Sequence, residues 1–142
     1  MSESYYLNEI YSTRRSIEKL EEEIYKWNQK LNDLREFFQH HRESVYQIQE
    51  HFQTRRARVS NIGINDKEVK IFAQYKEHIM GLLNGSENQR IVSQKEDESQ
   101  YITRKISEVE NKIQSLERQK YQLEQRISDL NYLLRRERLK SE

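Results

Sequence analysis

Four histidines are the side chains of this sequence with the broadest chemistry, because imidazole can bind metals and transfer protons. They are His40, His41, His51 and His78. A metal site on a helix needs ligands three or four residues apart on one face, with carboxylates to orient them. That spacing is missing, so no metal ligand is predicted. His41 instead falls on the apolar stripe described below, where a polar residue commonly fixes register or oligomeric state.

Residue combinations typical of catalysis are missing from the sequence. The chain has no cysteine to act as a nucleophile. It shows no serine in a motif with histidine and a carboxylate, and no glycine-rich phosphate loop. The sequence therefore predicts a protein that is not an enzyme, with no catalytic residue, no cofactor and no metal.

Arginine clusters could bind nucleic acid if they formed a basic face clear of acidic residues. The net charge is only +1, however, and glutamates are interleaved with the basic residues along most of the chain. Such mixing is typical of exposed coiled-coil faces, where opposite charges lie three or four residues apart. Nucleic-acid binding is kept as a further alternative, through Arg55, Arg56, Arg58, Arg135, Arg136 and Arg138.

The composition favours long helices over a compact globule. Charged residues make up 35% of the 142 residues and hydrophobic residues 34%, with no proline and three glycines. Proline breaks helix interiors and glycine weakens them, so their scarcity permits very long helices. Such helices need only one narrow apolar stripe. No stretch is apolar enough to span a bilayer, and the polar start predicts no secretory signal peptide.

The first part of the chain carries a heptad repeat. Its apolar residues recur every seven positions, and a second series follows three residues later. This period keeps one stripe facing a partner along a supercoiled helix, whereas a strand would alternate every second residue. The repeat predicts a first helical arm at about residues 4–59. The stripe comprises Ile10, Ile17, Ile24, Leu31, Phe38, Val45, Phe52 and Val59, with Leu20, Trp27, Leu34, His41 and Ile48 in the second series.

Two breaks separate this arm from a return arm at about residues 67–139. The segment SNIGIND predicts a turn at about residues 60–66, because asparagine and glycine favour turns. The segment NGSENQ predicts a second break at about residues 84–89. The return arm is expected to be interrupted near residues 84–100, where the sequence fits either helix or connector. The repeat then returns with Ile102, Ile106, Val109, Ile113, Leu116, Leu123, Ile127, Leu130 and Leu134.

The sequence allows the chain to reverse at either break. Reversal at the first break leaves less of the stripe bare, and bare apolar area costs roughly 25 cal/mol per Å². The preferred fold is therefore an all-α, antiparallel coiled-coil hairpin that forms one domain and turns there. It places Ile102–Leu116 opposite Ile10–Ile24, and Trp27 near Gln100–Ile102. The Leu123–Leu134 stripe then overhangs the first arm.

A two-helix hairpin is too thin to bury the largest stripe residues. These residues and the overhang predict a partner-binding surface, because a third or fourth helix would complete their burial. Tyrosines are favoured at interfaces, although packing at the stripe edges explains them equally well. The predicted partner-binding residues are Trp27, Phe38, Phe52, Leu123, Ile127, Leu130 and Leu134, with Tyr5, Tyr11, Tyr25, Tyr121 and Tyr132 as interface aromatics.

The pattern of the two arms resembles that of a known family. The arms read LNEIYSTRRSIEKLEEEIYKWNQKLNDLREFF and KISEVENKIQSLERQKYQLEQRISDLNYLLRRERLK. A cysteine-free helical hairpin of this kind is similar to the small partner proteins of LXG toxins, which use the type VII secretion system of Gram-positive bacteria. Those partners are related in shape to the WXG-type secreted hairpins. Here Trp27 is followed by Asn28 and Gln29, so the W-x-G motif is missing.

The resemblance implies an adaptor or chaperone that binds another helical chain, either the N-terminal domain of a toxin or a second small helical partner, and helps to target the toxin for export. It also implies a cytoplasmic protein that could be exported with the toxin. The family's export signal, an aromatic residue with an acid four positions later, is matched by Tyr5–Glu9 and Tyr46–Glu50, whereas Tyr132 is followed at that distance by Arg136. The residue patterns leave a second reading open, a homo-oligomeric structural coiled coil such as a homodimer in which two hairpins form a four-helix bundle.

Overall fold

The protein is built from α-helices throughout the part of the chain that the structure describes. A computed structural model describes residues 2–60, 69–83 and 85–141, and these ranges contain no strand. The predicted all-α fold is confirmed. The turn predicted at residues 60–66 lies, from residue 61 onward, outside these ranges. The helices are α1 (Glu3–Ser60), α2 (Val69–Leu83) and α3 (Ser86–Lys140).

The ends of α1 are capped, which satisfies backbone groups that a helix leaves unpaired. At its start the Tyr5 N–H donates to the Ser2 carbonyl at 3.1 Å and lies 3.4 Å from the Ser2 hydroxyl oxygen. Glu3 places a negative charge beside the positive end of the helix dipole. At the other end, Lys76 of α2 donates from Nζ to the Ser60 carbonyl at 3.0 Å. A cation at this end also complements the dipole.

The break between α2 and α3 is tight. The Gly85 N–H and the Asn88 side-chain amide both donate to the Leu82 carbonyl, at 3.3 and 3.1 Å. A β-carbon on Gly85 would lie 2.9 Å from the Gly81 carbonyl oxygen. This close approach of two backbone segments therefore favours glycine at position 85.

The helix that follows is longer than the sequence predicts. α3 is continuous from Ser86, so the interruption expected near residues 84–100 does not extend beyond that residue. Val92, Lys95 and Ser99 continue the heptad spacing backwards from Ile102, and all three are half-buried. Two of these three positions are polar, which is why a search for apolar periodicity does not find this part of the stripe.

The chain divides into two compact units. Unit 1 comprises Met1–Leu34 and Lys105–Glu142, and unit 2 comprises Arg35–Arg104. α1 and α3 each contribute to both units, whereas α2 belongs to unit 2.

The core of unit 1 lies between the stripes of α1 and α3. Ile10 packs with Leu130 and Leu134, and Leu31 packs with Val109 and Ile113. Early residues of α1 thus contact late residues of α3, and the contacts proceed in opposite chain order. Three ion pairs follow the same order: Glu3–Arg138 at 2.8 Å, Glu9–Arg126 at 2.9 Å and Glu21–Lys120 at 3.3 Å.

This pairing corrects the register that the sequence favours. The sequence places Leu116 opposite Ile10, but Ile10 contacts Leu130 and Leu134, which are only 7% and 6% exposed. The predicted overhang of Leu123–Leu134 is therefore wrong. The residues of α3 that lie opposite Ile10 come about two heptads later in the sequence than expected. Apolar residues recur every seven positions along both stripes, so the apolar pattern accepts several registers.

Candidate functional site

The stripe of unit 2 is much less buried than that of unit 1. Phe38, Val45, Ile48 and Phe52 of α1 are all half-buried. Among the described apolar side chains of unit 2, only Ile102 is buried, whereas the other eight buried apolar residues belong to unit 1. The aromatic side chains of unit 2 therefore keep apolar area in contact with water.

A polar layer lies within the stripe of unit 2. His41 of α1 contacts two neighbouring residues of α3: its Nε2 lies 2.9 Å from Glu98 Oε2, and its Nδ1 lies 3.1 Å from Ser99 Oγ. The His41 side chain is 8% exposed, whereas that of Glu98 is 41% exposed. Both ring nitrogens of a buried imidazole thus have partners on the opposite helix, which we call the His41 layer.

The hydrogen bonds of the His41 layer depend on where its protons lie. A carboxylate only accepts, so His41 Nε2–H donates to Glu98, which lowers the pKa of Glu98 below its ordinary value of 4.5. Lys95 Nζ lies 3.3 Å from the same carboxylate and lowers that pKa further. At Nδ1, either the Ser99 hydroxyl donates to a neutral ring, or a protonated ring donates to Ser99 Oγ while the hydroxyl donates to the Lys95 carbonyl, 3.0 Å away.

This layer joins the same three residue types as a hydrolase triad, but with the ring nitrogens exchanged, since Nε2 faces the carboxylate and Nδ1 the serine. No sequence motif signals this grouping. Ser99 and Glu98 lie 58 and 57 residues from His41, so only the fold brings them together. A serine hydrolase also needs N–H donors for an oxyanion. Ser99 lies inside α3, where backbone N–H groups already bond carbonyls one turn earlier. The His41 layer therefore fits a buried polar position in which both ring nitrogens have hydrogen-bond partners.

Two shallow clefts lie beside the aromatic residues of unit 2. The first, of about 670 Å³, follows α1 along Phe38, Arg42, Glu43 and Tyr46. The second, of about 510 Å³, lies between α1 and α3. Both combine apolar side chains with charges of both signs. The second is lined by Phe52, Arg56, Asn88, Gln89, Val92, Ser93 and Glu96.

The predicted partner-binding residues are divided between the two units. Phe38 and Phe52 belong to unit 2, whereas Trp27 and the Leu123–Leu134 segment belong to unit 1. Trp27 is half-buried against the core cluster that contains Leu31, and its ring lies 4.4 Å from Lys30 Nζ. In the other segment, Leu130 and Leu134 are buried in the core, while Leu123 and Ile127 are half-buried.

The tyrosines predicted as interface aromatics are exposed side chains of unit 1. Two are partly covered by an arginine one turn later: Arg15 lies 5.9 Å from the ring centroid of Tyr11, and Arg136 lies 5.9 Å from that of Tyr132. Cation–π contacts of this kind are common on helix surfaces and need no partner protein. The five exposed tyrosines are Tyr5, Tyr11, Tyr25, Tyr121 and Tyr132.

Neither a metal-binding cluster nor a membrane-spanning helix occurs among the described residues. No group of three or more His, Cys, Asp or Glu side chains there could hold a metal ion. His40 lies 3.8 Å from Glu43 on its own helix, apart from the His41 layer. No described helix is long and apolar enough to cross a membrane.

Comparison of the chain with protein-family models, curated proteins and solved structures finds no match.

Proposed function

We propose that this chain is a non-enzymatic interaction protein that binds another helical chain through the stripe of unit 2. The observation that supports it most directly is the contrast in burial between the two units. Eight apolar side chains of unit 1 are buried, whereas in the described part of unit 2 only Ile102 is buried, and Phe38 and Phe52 remain half-exposed. Covering apolar area gains roughly 25 cal/mol per Å², so a partner helix laid along these residues would be stabilised.

The two clefts indicate the chemistry of the partner. Each has an aromatic side chain flanked by one basic and one acidic residue, with Arg42 and Glu43 beside Phe38, and Arg56 and Glu96 beside Phe52. An amphipathic helix with apolar residues three and four positions apart fits such a groove. The mixed charges favour a partner helix that also carries both signs.

The toxin-partner resemblance names a candidate for this helix. The two heptad segments of this chain resemble those of the partner proteins of LXG toxins. We therefore propose that the bound chain is the helical N-terminal domain of such a toxin. The protein would then act as an adaptor or chaperone that completes a helical bundle in the cytoplasm. Targeting to type VII secretion, with or without co-export, is part of the same proposal.

A double substitution tests the surface. Phe38→Glu with Phe52→Glu places two charges in the stripe of unit 2, and we expect it to weaken binding to a toxin N-terminal domain at least tenfold, because charged residues at a buried contact lose hydration. The matched control is Tyr25→Glu with Tyr121→Glu, which adds the same charges at exposed aromatic positions of unit 1. Binding is measured by calorimetry, and circular dichroism checks that each variant remains helical.

The control also separates the competing outcomes. Loss of binding in the tyrosine variant alone would move the interface to unit 1, and equal binding by all three proteins would reject both surfaces. A homo-oligomer would cover the same stripe with a second copy. In that case light scattering of the parent chain would give a stable multiple of 17.5 kDa on dilution, and Phe38→Glu with Phe52→Glu would lower it.

A further inference from the structure

We infer that the His41 layer is a register lock, which holds α3 at one position along α1 and disfavours positions one heptad away. The geometry that supports this is the pair of cross-helix bonds at His41, from Nε2 to Glu98 and from Nδ1 to Ser99. The inference concerns the pairing of two helices of this chain and does not depend on the proposed partner.

The apolar contacts between the stripes of α1 and α3 do not by themselves distinguish registers that differ by one heptad. If α3 slid by one heptad, Leu123 and Ile127 would replace Leu130 and Leu134 beside Ile10. The other core cluster of unit 1 would exchange its residues in the same way. An apolar core could therefore form in the slipped pairing too, because aliphatic residues recur at the same heptad positions.

The His41 layer does distinguish these registers. A slip of one heptad would place Ile91 and Val92 beside His41, and a slip in the other direction would place Lys105 and Ile106 there. None of these four side chains accepts a hydrogen bond, so the ring N–H that donates to Glu98 would have no acceptor among them in either slipped register. Lys105 could donate to the other nitrogen of a neutral ring, but Ile91, Val92 and Ile106 offer no bond at all. A buried polar group that loses its partners is destabilising.

Two other polar residues fall on the same heptad positions and lack this property: Thr13, seven residues before Leu20, and Lys120, seven residues after Ile113. Thr13 is buried, but its hydroxyl donates to the Glu9 carbonyl of the same helix at 2.7 Å, so the bond survives any movement of α3. The Lys120–Glu21 pair joins α1 and α3, but both side chains are at least one-third exposed. Exposed ion pairs contribute little, because water screens them.

Engineered cysteines can report the register directly, because the chain has no cysteine of its own. Glu9→Cys with Arg126→Cys reports the observed register, since these side chains meet at 2.9 Å. Glu9→Cys with Gln119→Cys reports a register slipped by one heptad. Both pairs are treated with a short bismaleimide in the full chain, and mass spectrometry measures the intramolecular cross-link.

His41→Leu is the informative background for this experiment, because leucine suits an apolar stripe and removes both cross-helix bonds. We expect the ratio of slipped to observed cross-link to rise roughly tenfold or more. Thr13→Val is the matched control, since it removes a buried hydroxyl that bonds only within α1, and its ratio should equal that of the parent. Circular dichroism confirms that each variant remains helical.

Two results would overturn the inference that the His41 layer fixes the register of α3 along α1. One is an unchanged ratio in His41→Leu. The other is an equal rise in Thr13→Val, which would mean that any loss of polarity in the stripe frees the register.

Discussion

At the scale of single residues, the charge of Glu98 contributes to the stability of unit 2. His41 and Lys95 both favour the ionised carboxylate, so its pKa in the folded protein lies below the ordinary value of 4.5. A group with a lower pKa when folded stabilises the fold above its ordinary pKa, and this contribution is lost as the pH falls through the folded pKa. The partial exposure of Glu98 means that water screens part of the effect.

Glu98→Gln should reduce the acid sensitivity of the protein. Between about pH 6 and about pH 3 we expect the melting temperature of the parent to fall further than that of the variant, because glutamine has no proton to gain. The control is Glu43→Gln, which removes an exposed carboxylate beside His40 on the same helix, and it should retain the parent's pH dependence. Identical profiles for the parent and Glu98→Gln would contradict this role of Glu98.

At the scale of elements, the helices follow from local signals. α1 and α3 contain no proline and show heptad spacing, and both lie where the sequence predicts helix, except that α3 is also continuous through the interruption expected near residues 84–100. The pairing of the helices is harder to predict, because the stripe repeats every seven residues and several registers bury similar area. The sequence did point to His41 as a polar stripe residue, but not to Glu98 and Ser99, since a hydrogen bond between distant segments leaves no local pattern.

The two described glycines near the α2–α3 break should respond to alanine in opposite ways. A β-carbon at Gly81 meets nothing within 4 Å, so Gly81→Ala should stabilise the protein by about 0.5 kcal/mol through the better helix propensity of alanine. Gly85→Ala should destabilise it by about 1 kcal/mol, because its β-carbon would crowd the Gly81 carbonyl oxygen at 2.9 Å.

Urea denaturation followed by circular dichroism measures both glycine variants, and each serves as the control for the other. Equal free energies of unfolding for Gly81→Ala and Gly85→Ala would show that the tight break does not exist in solution.

At the scale of the whole molecule, the two units differ in what they bury. Unit 1 holds eight of the nine buried apolar residues of the described chain, two clusters among them, and its Leu116 is only 2% exposed. Unit 2 places a polar layer and half-buried aromatic residues along the corresponding stripe. The proposed function rests on this difference in burial. Unit 1 contains most of the buried apolar side chains, and unit 2 keeps apolar area exposed that a second helical chain would cover.

Hydrogen–deuterium exchange of the chain, alone and bound to the helical N-terminal domain of an LXG toxin, tests this claim most directly. Binding should slow exchange in the peptides of unit 2 around Phe38 and Phe52, because a bound helix would suppress local opening there. Peptides of unit 1 around Ile10 and Leu130 should change little. Protection confined to unit 1, with unit 2 unchanged, would contradict the account.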